Sequence, residues 1–303
     1  MKYMQLKRIE DIPFTLVDGS PLCLDIIMPE EAAAPQPAII YIHGGGWLRG
    51  DKRGLGGRDW NARFAKHGFV CVNINHRLSG EASFPAQIHD VKAAVRFIRS
   101  HAHEYNIDPV KIGVWGHSSG GHLASLLGIS AFASELEESG GSESSSCAVQ
   151  AVCTLSGPTD LLQMGGWHDL AYSPEARLIG IRALADNPQA VALANPIHYI
   201  TDQAPPFFII HGDADSIVPI HQAELLYEAL ENASFLRVKG ADHGLVGGNL
   251  SSDEILDYIL LFFQKQLTKT KDTPEKIAQS RAEEKILIQY FVDQSAAFSK
   301  QEA

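Results

Sequence analysis

The residues with the clearest chemical promise are Gly116-His117-Ser118-Ser119-Gly120. An apolar run containing Ile112, Val114 and Trp115 leads into them, and a helix-like stretch from Gly121 to Leu127 follows. This order predicts a strand, a tight turn and a helix, with a serine at the apex. Such a turn is crowded and strained, so it needs glycine on both sides. It lifts the Ser118 hydroxyl clear at a helix N-terminus, where the dipole favours developing negative charge. Glycine and serine are common, so G-x-S-x-G is weak evidence by itself. Its weight comes from the strand before it and the helix after it.

A serine nucleophile needs donors for the oxyanion that its attack creates. Upstream, Ala38-Ile39-Ile40-Tyr41-Ile42 reads as a buried strand and runs into His43-Gly44-Gly45-Gly46-Trp47. Three glycines let backbone N–H groups approach a ligand with no Cβ in the way. One such donor contributes roughly 2.7–4 kcal/mol to the reaction. Alone, the run could be a flexible loop; beside a serine elbow, it reads as an oxyanion loop.

The serine also needs a base, and the base an orienting acid. The chain has 13 histidines, so a histidine in a loop is no evidence by itself. His243 follows the strand-like Phe235-Leu236-Arg237-Val238, and Gly240 and Gly244 free the backbone around it. It is the candidate base. His211 precedes a tight turn and is read as bonding within it. His43 is read as bracing the glycine loop, and His117 as fixed by the elbow. His76, His122, His168 and the remaining histidines are assigned to surface or packing roles. Asp213 and Asp215 compete for the acid after the strand-like Phe207-Phe208-Ile209-Ile210. Asp213 is placed to cap the turn with its own side chain. Asp215 lies further past the strand, before Ile217-Val218-Pro219, and spacing favours it. Both candidates follow strands, where sites gather in open α/β sheets.

From about residue 20 to 266 the chain resembles the α/β-hydrolases of the hormone-sensitive-lipase-like and feruloyl-esterase-like (BD-FAE) kind. The residues that carry the resemblance are His43 to Trp47, Asn75-His76-Arg77-Leu78-Ser79, Phe84-Pro85-Ala86, Asp90 to Val95, the elbow, Ser156-Gly157-Pro158, and His211-Gly212 with Asp215 and Val218-Pro219. The resemblance implies an α/β-hydrolase fold with a mainly parallel sheet flanked by helices. It also implies a catalytic triad of Ser118, Asp215 and His243, and an oxyanion hole from the N–H groups of Gly45, Gly46 and Ser119. Gly44 could replace one of those glycines. His117 stands where many such enzymes carry an acidic residue, which alters the charge beside the nucleophile. Together these features predict a serine carboxylic-ester hydrolase for short-acyl, phenolic or sugar esters, with no cofactor. The same triad could serve an amide or peptide hydrolase. A non-catalytic binding protein of this fold would be expected to lack a triad residue, and all three are present.

Composition agrees with a globular enzyme. At 303 residues and 45% hydrophobic, the chain can bury a full core in one domain. A net charge of −11 argues against a nucleic-acid partner, since phosphates call for a basic face. No apolar run reaches the roughly 18–20 residues of a membrane span. The start of the chain has no apolar signal core, so a cytoplasmic location is expected. Cys23, Cys71 and Cys153 fall in strand-like runs and suggest buried free thiols, while Cys147, ending a Ser/Glu-rich loop, is expected to be exposed. No residue spacing suggests a metal site.

Strands are expected near 22–28, 38–42, 69–75, 111–115, 149–155, 207–210 and 234–238. Helices are expected near 58–67, 86–104, 119–130, 219–231 and 252–267. This alternation implies parallel strands with right-handed crossovers. Residues 133–146 read as a surface excursion. Residues 161–200 are apolar but broken by Gly and Pro, and are expected to form a small helical lid. Trp47, His117 and Trp167 are the candidate substrate-binding side chains. The catalytic domain is expected to end at 268. Residues 269–274 read as a linker and 275–298 as an extra helix with an apolar side. That helix would lie back on its own domain or join a second subunit as a homo-oligomer contact.

Overall fold

The structure, a computed structural model, describes residues 5–54, 59–137 and 145–268. The expected linker and terminal helix lie outside the described residues, as does most of the Ser/Glu-rich excursion.

Among the described residues, eight strands form one sheet in the order β1-β2-β4-β3-β5-β6-β7-β8. They are β1 (Leu6–Val17), β2 (Ser20–Pro29), β3 (Gln36–Ile42), β4 (Val70–Ile74), β5 (Ile107–His117), β6 (Ala151–Leu155), β7 (Phe207–Gly212) and β8 (Ala233–Val238). From β4 to β8 all neighbours are parallel, while β1 and β2 form an antiparallel hairpin whose β2 runs antiparallel to β4. The longer helices are α1 (Asp59–Ala65), α2 (Ala86–Ser100), α3 (Ser119–Ile129), α6 (His221–Ala229) and α7 (Ser252–Phe263).

The parallel strands are apolar on both faces because helices cover both faces. On β3 the alternation is direct: Ala38, Ile40 and Ile42 enter the core under α2 and α3, and Ile39 and Tyr41 enter the core under α1 and α7. Ser251 starts α7 with a reciprocal bond: its hydroxyl accepts from the Glu254 N–H, and the Glu254 carboxylate accepts from the Ser251 N–H.

Every expected strand is present, within a few residues of its expected bounds. One was missed. β1 alternates only in part, and its charged Lys7, Arg8, Glu10 and Asp11 hide the pattern. Its turn was nevertheless legible. Asp18 and Gly19 sit at φ 49° and 78° between paired Val17 and Ser20, the two-residue hairpin for which Asp-Gly is a strong signal.

Cys147 corrects a second expectation. It is buried, at 1% exposure. The guanidinium of Arg96 donates to the Ser145 carbonyl, and that of Arg99 to the carbonyls of Ser146 and Ala148. These bonds draw the segment onto α2 and press Cys147 inward.

Residues 161–200 form a chain of short helical turns. Two are brief α-helices, α4 (Pro174–Ile179) and α5 (Pro188–Ala192). Ser173 caps α4 by accepting from the Ala176 N–H, and Gly180 ends it in the left-handed conformation.

Candidate active site

Ser118 occupies the corner between β5 and α3 at φ 59°, ψ −126°. That backbone is strained for any residue with a Cβ. It survives because both ends of the turn are fixed. The Ser118 N–H donates to the Leu155 carbonyl, and the Ser118 carbonyl accepts from the His122 N–H. The turn packs without clearance: a Cβ on Gly120 would overlap the Ile42 carbonyl oxygen, and one on Gly116 would overlap that of Gly120.

The structure brings Ser118, His243 and Asp215 together. Ser118 Oγ lies 2.9 Å from His243 Nε2, and His243 Nδ1 lies 2.8 Å from Asp215 Oδ2. Nδ1–H donates to the carboxylate, so Nε2 is left to accept the serine proton. Asp215 follows β7, and its side chain is fully buried. Its Oδ1 accepts from the N–H groups of Ile217 and Val218 at 2.8 and 2.9 Å, and His211 Nε2 lies 3.1 Å from Oδ2. Burial opposes ionisation of this carboxyl. The bonds from His211, His243 and Val218 outweigh it and hold its pKa well below the usual carboxylate range.

Asp213 is elsewhere. Its Oδ1 accepts from the Gly240 N–H at 2.6 Å, which ties the loops after β7 and β8 together. Asp242 turns away from His243 and accepts from the N–H groups of Gly244 and Val246.

The glycine run packs directly against the elbow. A Cβ on Gly44 would stand 2.6 Å from the His117 carbonyl oxygen. Gly45, at φ 129°, has no room for a Cβ beside the Arg49 carbonyl. Ser119 begins α3, whose leading N–H groups have no partners within the helix. Gly44, Gly45, Gly46, Ser118, Ser119 and His243 all line one cavity of about 800 Å³.

The three candidate substrate-binding residues fare differently. Trp167 lines the cavity, remains 43% exposed and stacks on His168 at 3.7 Å. His117 directs Nε2 at the His243 carbonyl, 2.6 Å away, and so is held within the site. Burial, with His243 nearby, pushes its pKa down to about 4. Trp47 borders the cavity but is 2% exposed. Its backbone turns to φ 58°, and its indole N–H donates to His122 Nδ1. His122 Nε2–H in turn donates to the Ala194 carbonyl at 2.7 Å. This indole is a strut between the glycine loop, α3 and the segment before β7.

His168 and Glu175 were overlooked in the sequence. They form a buried pair in the cavity wall, with His168 Nδ1 2.8 Å from Glu175 Oε1. Apart from its position in the apolar segment 161–200, His168 has no local signal that sets it apart from the other histidines.

A parallel sheet with an antiparallel hairpin at one end, crossed by a serine elbow, defines an α/β-hydrolase fold with a serine-hydrolase arrangement. The comparisons agree. The BD-FAE family model matches residues 24–230, and a model described as TAP-like protein matches residues 187–293. The chain belongs to the BD-FAE family. Among curated relatives it is 30% identical to Esterase LipQ of Mycobacterium tuberculosis over 87% of this chain. It is 33% identical to Esterase LipC of the same organism over 69%. It spans 65% and 53% of those two proteins' lengths. Among solved structures, a truncated carbohydrate esterase from gut microbiota aligns with a TM-score of 0.78 at 33% identity, covering 88% of this chain and 98% of that one. A propionate-bound esterase of Thermogutta terrifontis aligns at 0.71 and 26% identity, covering 89% and 97%.

Proposed function

We propose that this protein is a serine carboxylic-ester hydrolase acting through an acyl-Ser118 intermediate. The observation that carries this reading is the unbroken line from Ser118 Oγ through His243 to Asp215, with both bonds under 3 Å. His243 Nε2 takes the Ser118 proton as Oγ attacks the ester carbonyl. The N–H groups of Gly45, Gly46 and Ser119 receive the oxyanion. His243 then gives its proton to the leaving alcohol oxygen. The imidazole next activates water, which attacks the acyl-serine and releases the acid. Asp215 stays ionised throughout and stabilises the transient imidazolium.

Residues 1–268 are read as the catalytic domain and 161–200 as its lid, which brings Trp167 and Pro174 to the cavity. Esters of short acids on phenols or sugars suit this reading. It is supported by likeness to a carbohydrate esterase and to an esterase bound to propionate. The four cysteines are unpaired, which fits a reducing compartment such as the cytoplasm. Among the described residues no helix is long and apolar enough to cross a membrane.

A panel of aryl esters of rising acyl length, acetylated and feruloylated sugars and an anilide tests the substrate class. Turnover restricted to the anilide would turn the assignment to amide hydrolysis. A fluorophosphonate should label Ser118 alone, and labelling at another serine would remove the nucleophile assignment.

A further inference from the structure

The His168–Glu175 pair reaches further than the cavity wall. His168 is 3% exposed and Glu175 3%. The two ring nitrogens of His168 both face acceptors. Nδ1 meets Glu175 Oε1 and Nε2 meets the Ile217 carbonyl oxygen, each at 2.8 Å. A neutral imidazole has only one N–H. With Glu175 as a carboxylate, both bonds need the imidazolium, and loss of its proton leaves a ring lone pair against an acceptor. Glu175 sits in the first turn of α4, where the helix dipole favours a carboxylate.

The second contact leads to the triad. The Ile217 carbonyl and the Val218 N–H are two ends of one planar peptide group. The carbonyl accepts from His168, and the N–H donates to Asp215 Oδ1 at 2.9 Å. A positive ring at the carbonyl end polarises that peptide and strengthens its N–H as a donor. A single rigid unit thus joins the segment 161–200 to the acid beside His243.

We propose that His168 is a positioning residue: the charged His168–Glu175 pair clamps the Ile217–Val218 peptide, thereby holds the Asp215 carboxylate, and releases it when His168 gives up its proton. This rests on Asp215 being the acid of the triad. The charged groups facing the ring are Glu175 from α4 and Asp169 on its own turn, with Asp215 beyond the bridging peptide. Burial works against a charge on His168, but Glu175 outweighs it and raises the pKa above the ordinary histidine value. A raised pKa keeps the clamp intact at lower pH and removes it as pH climbs through that value.

The test follows His168 directly. Nitrogen-15 spectra of histidine-labelled protein, assigned with His168→Gln, report its protonation from pH 6 to 10, and kcat and KM are measured over the same range. The midpoint of His168 should lie above the ordinary histidine value of about 6.5. The loss of the imidazolium signal should share its midpoint with a fall in kcat of fivefold or more, with KM within twofold. Glu175→Gln, of nearly the same shape, should lower both midpoints together by at least one pH unit. A His168 midpoint at or below the ordinary histidine value, or midpoints that do not move together, overturns the proposal. Should Glu175→Gln not fold, the coincidence of midpoints in the unaltered protein decides alone. Full turnover in Asp215→Asn would overturn the acid assignment instead, and the nitrogen shifts would still decide whether the pair is charged.

Discussion

The backbone at Ser118 should store strain that a single substitution can release. At φ 59°, ψ −126° this residue has the geometry of the first central position of a type II′ turn, where glycine dominates. Strain of this kind amounts to about 1–3 kcal/mol. Ser118→Ala and Ser118→Gly both delete the hydroxyl and its bond to His243 Nε2, so comparing them isolates the Cβ. Glycine relieves the strain but gains roughly 0.5–1 kcal/mol of extra freedom in the unfolded chain. The balance is roughly 1 kcal/mol in favour of Ser118→Gly. For a chain of this size that corresponds to a melting temperature about 2 °C above that of Ser118→Ala. Urea titration and calorimetry on the two variants make the measurement, and both should be inactive toward esters. A glycine variant that melts at or below the alanine variant would refute stored strain at the elbow.

Three further outcomes are expected. Asp215→Asn should cut kcat by about 10⁴-fold with little change in KM, because His243 loses the partner that fixes its tautomer; Asp213→Ala should keep turnover and lose about 1 kcal/mol of stability with its bond to Gly240, and reversed effects would exchange the two roles. Burial depresses His117 and His122 to about 4 and His43 to about 3, so their neutral forms stabilise the fold above the ordinary histidine pKa. That stability is lost as pH falls from about 6.5 toward 4, by about 3 kcal/mol for His122 alone; unfolding free energies that stay flat over this window would contradict it. Gly120→Ala drives a Cβ into backbone that cannot yield, so a loss of about 3 kcal/mol or more should appear in urea unfolding, and a variant of unchanged stability would count against the packed elbow.

The sheet was legible because its parallel strands are short runs of Ile, Val, Ala and Phe bounded by glycine and polar turns. Ser118, Asp215 and His243 were legible for a related reason: each follows such a run by a few residues. Long-range contacts were not. The partners of His168 lie 7 and 49 residues away, and no local spacing announces that both its nitrogens meet acceptors. Trp47 beside three glycines read as a substrate-binding side chain; it borders the cavity, but its tie to His122, 75 residues on, could not be read from local spacing. Cys147 followed a polar loop, but its burial depends on arginines of α2. The strand β1 was concealed by charges that belong to its exposed side.

Those charges have a consequence of their own. Among the described residues β1 lies at the end of the sheet, the position where another chain can add a strand. Its register slips between Ile9 and Ile12 and again between Pro13 and Thr15. Asp11 leaves the extended conformation at φ 57°, and Pro13 has no N–H to offer. Lys7, Arg8 and Glu10 stand exposed along the same strand. A foreign strand approaching this border would meet two breaks in the ladder, a missing donor and a row of charge. The hairpin therefore guards the molecule against edge-to-edge aggregation.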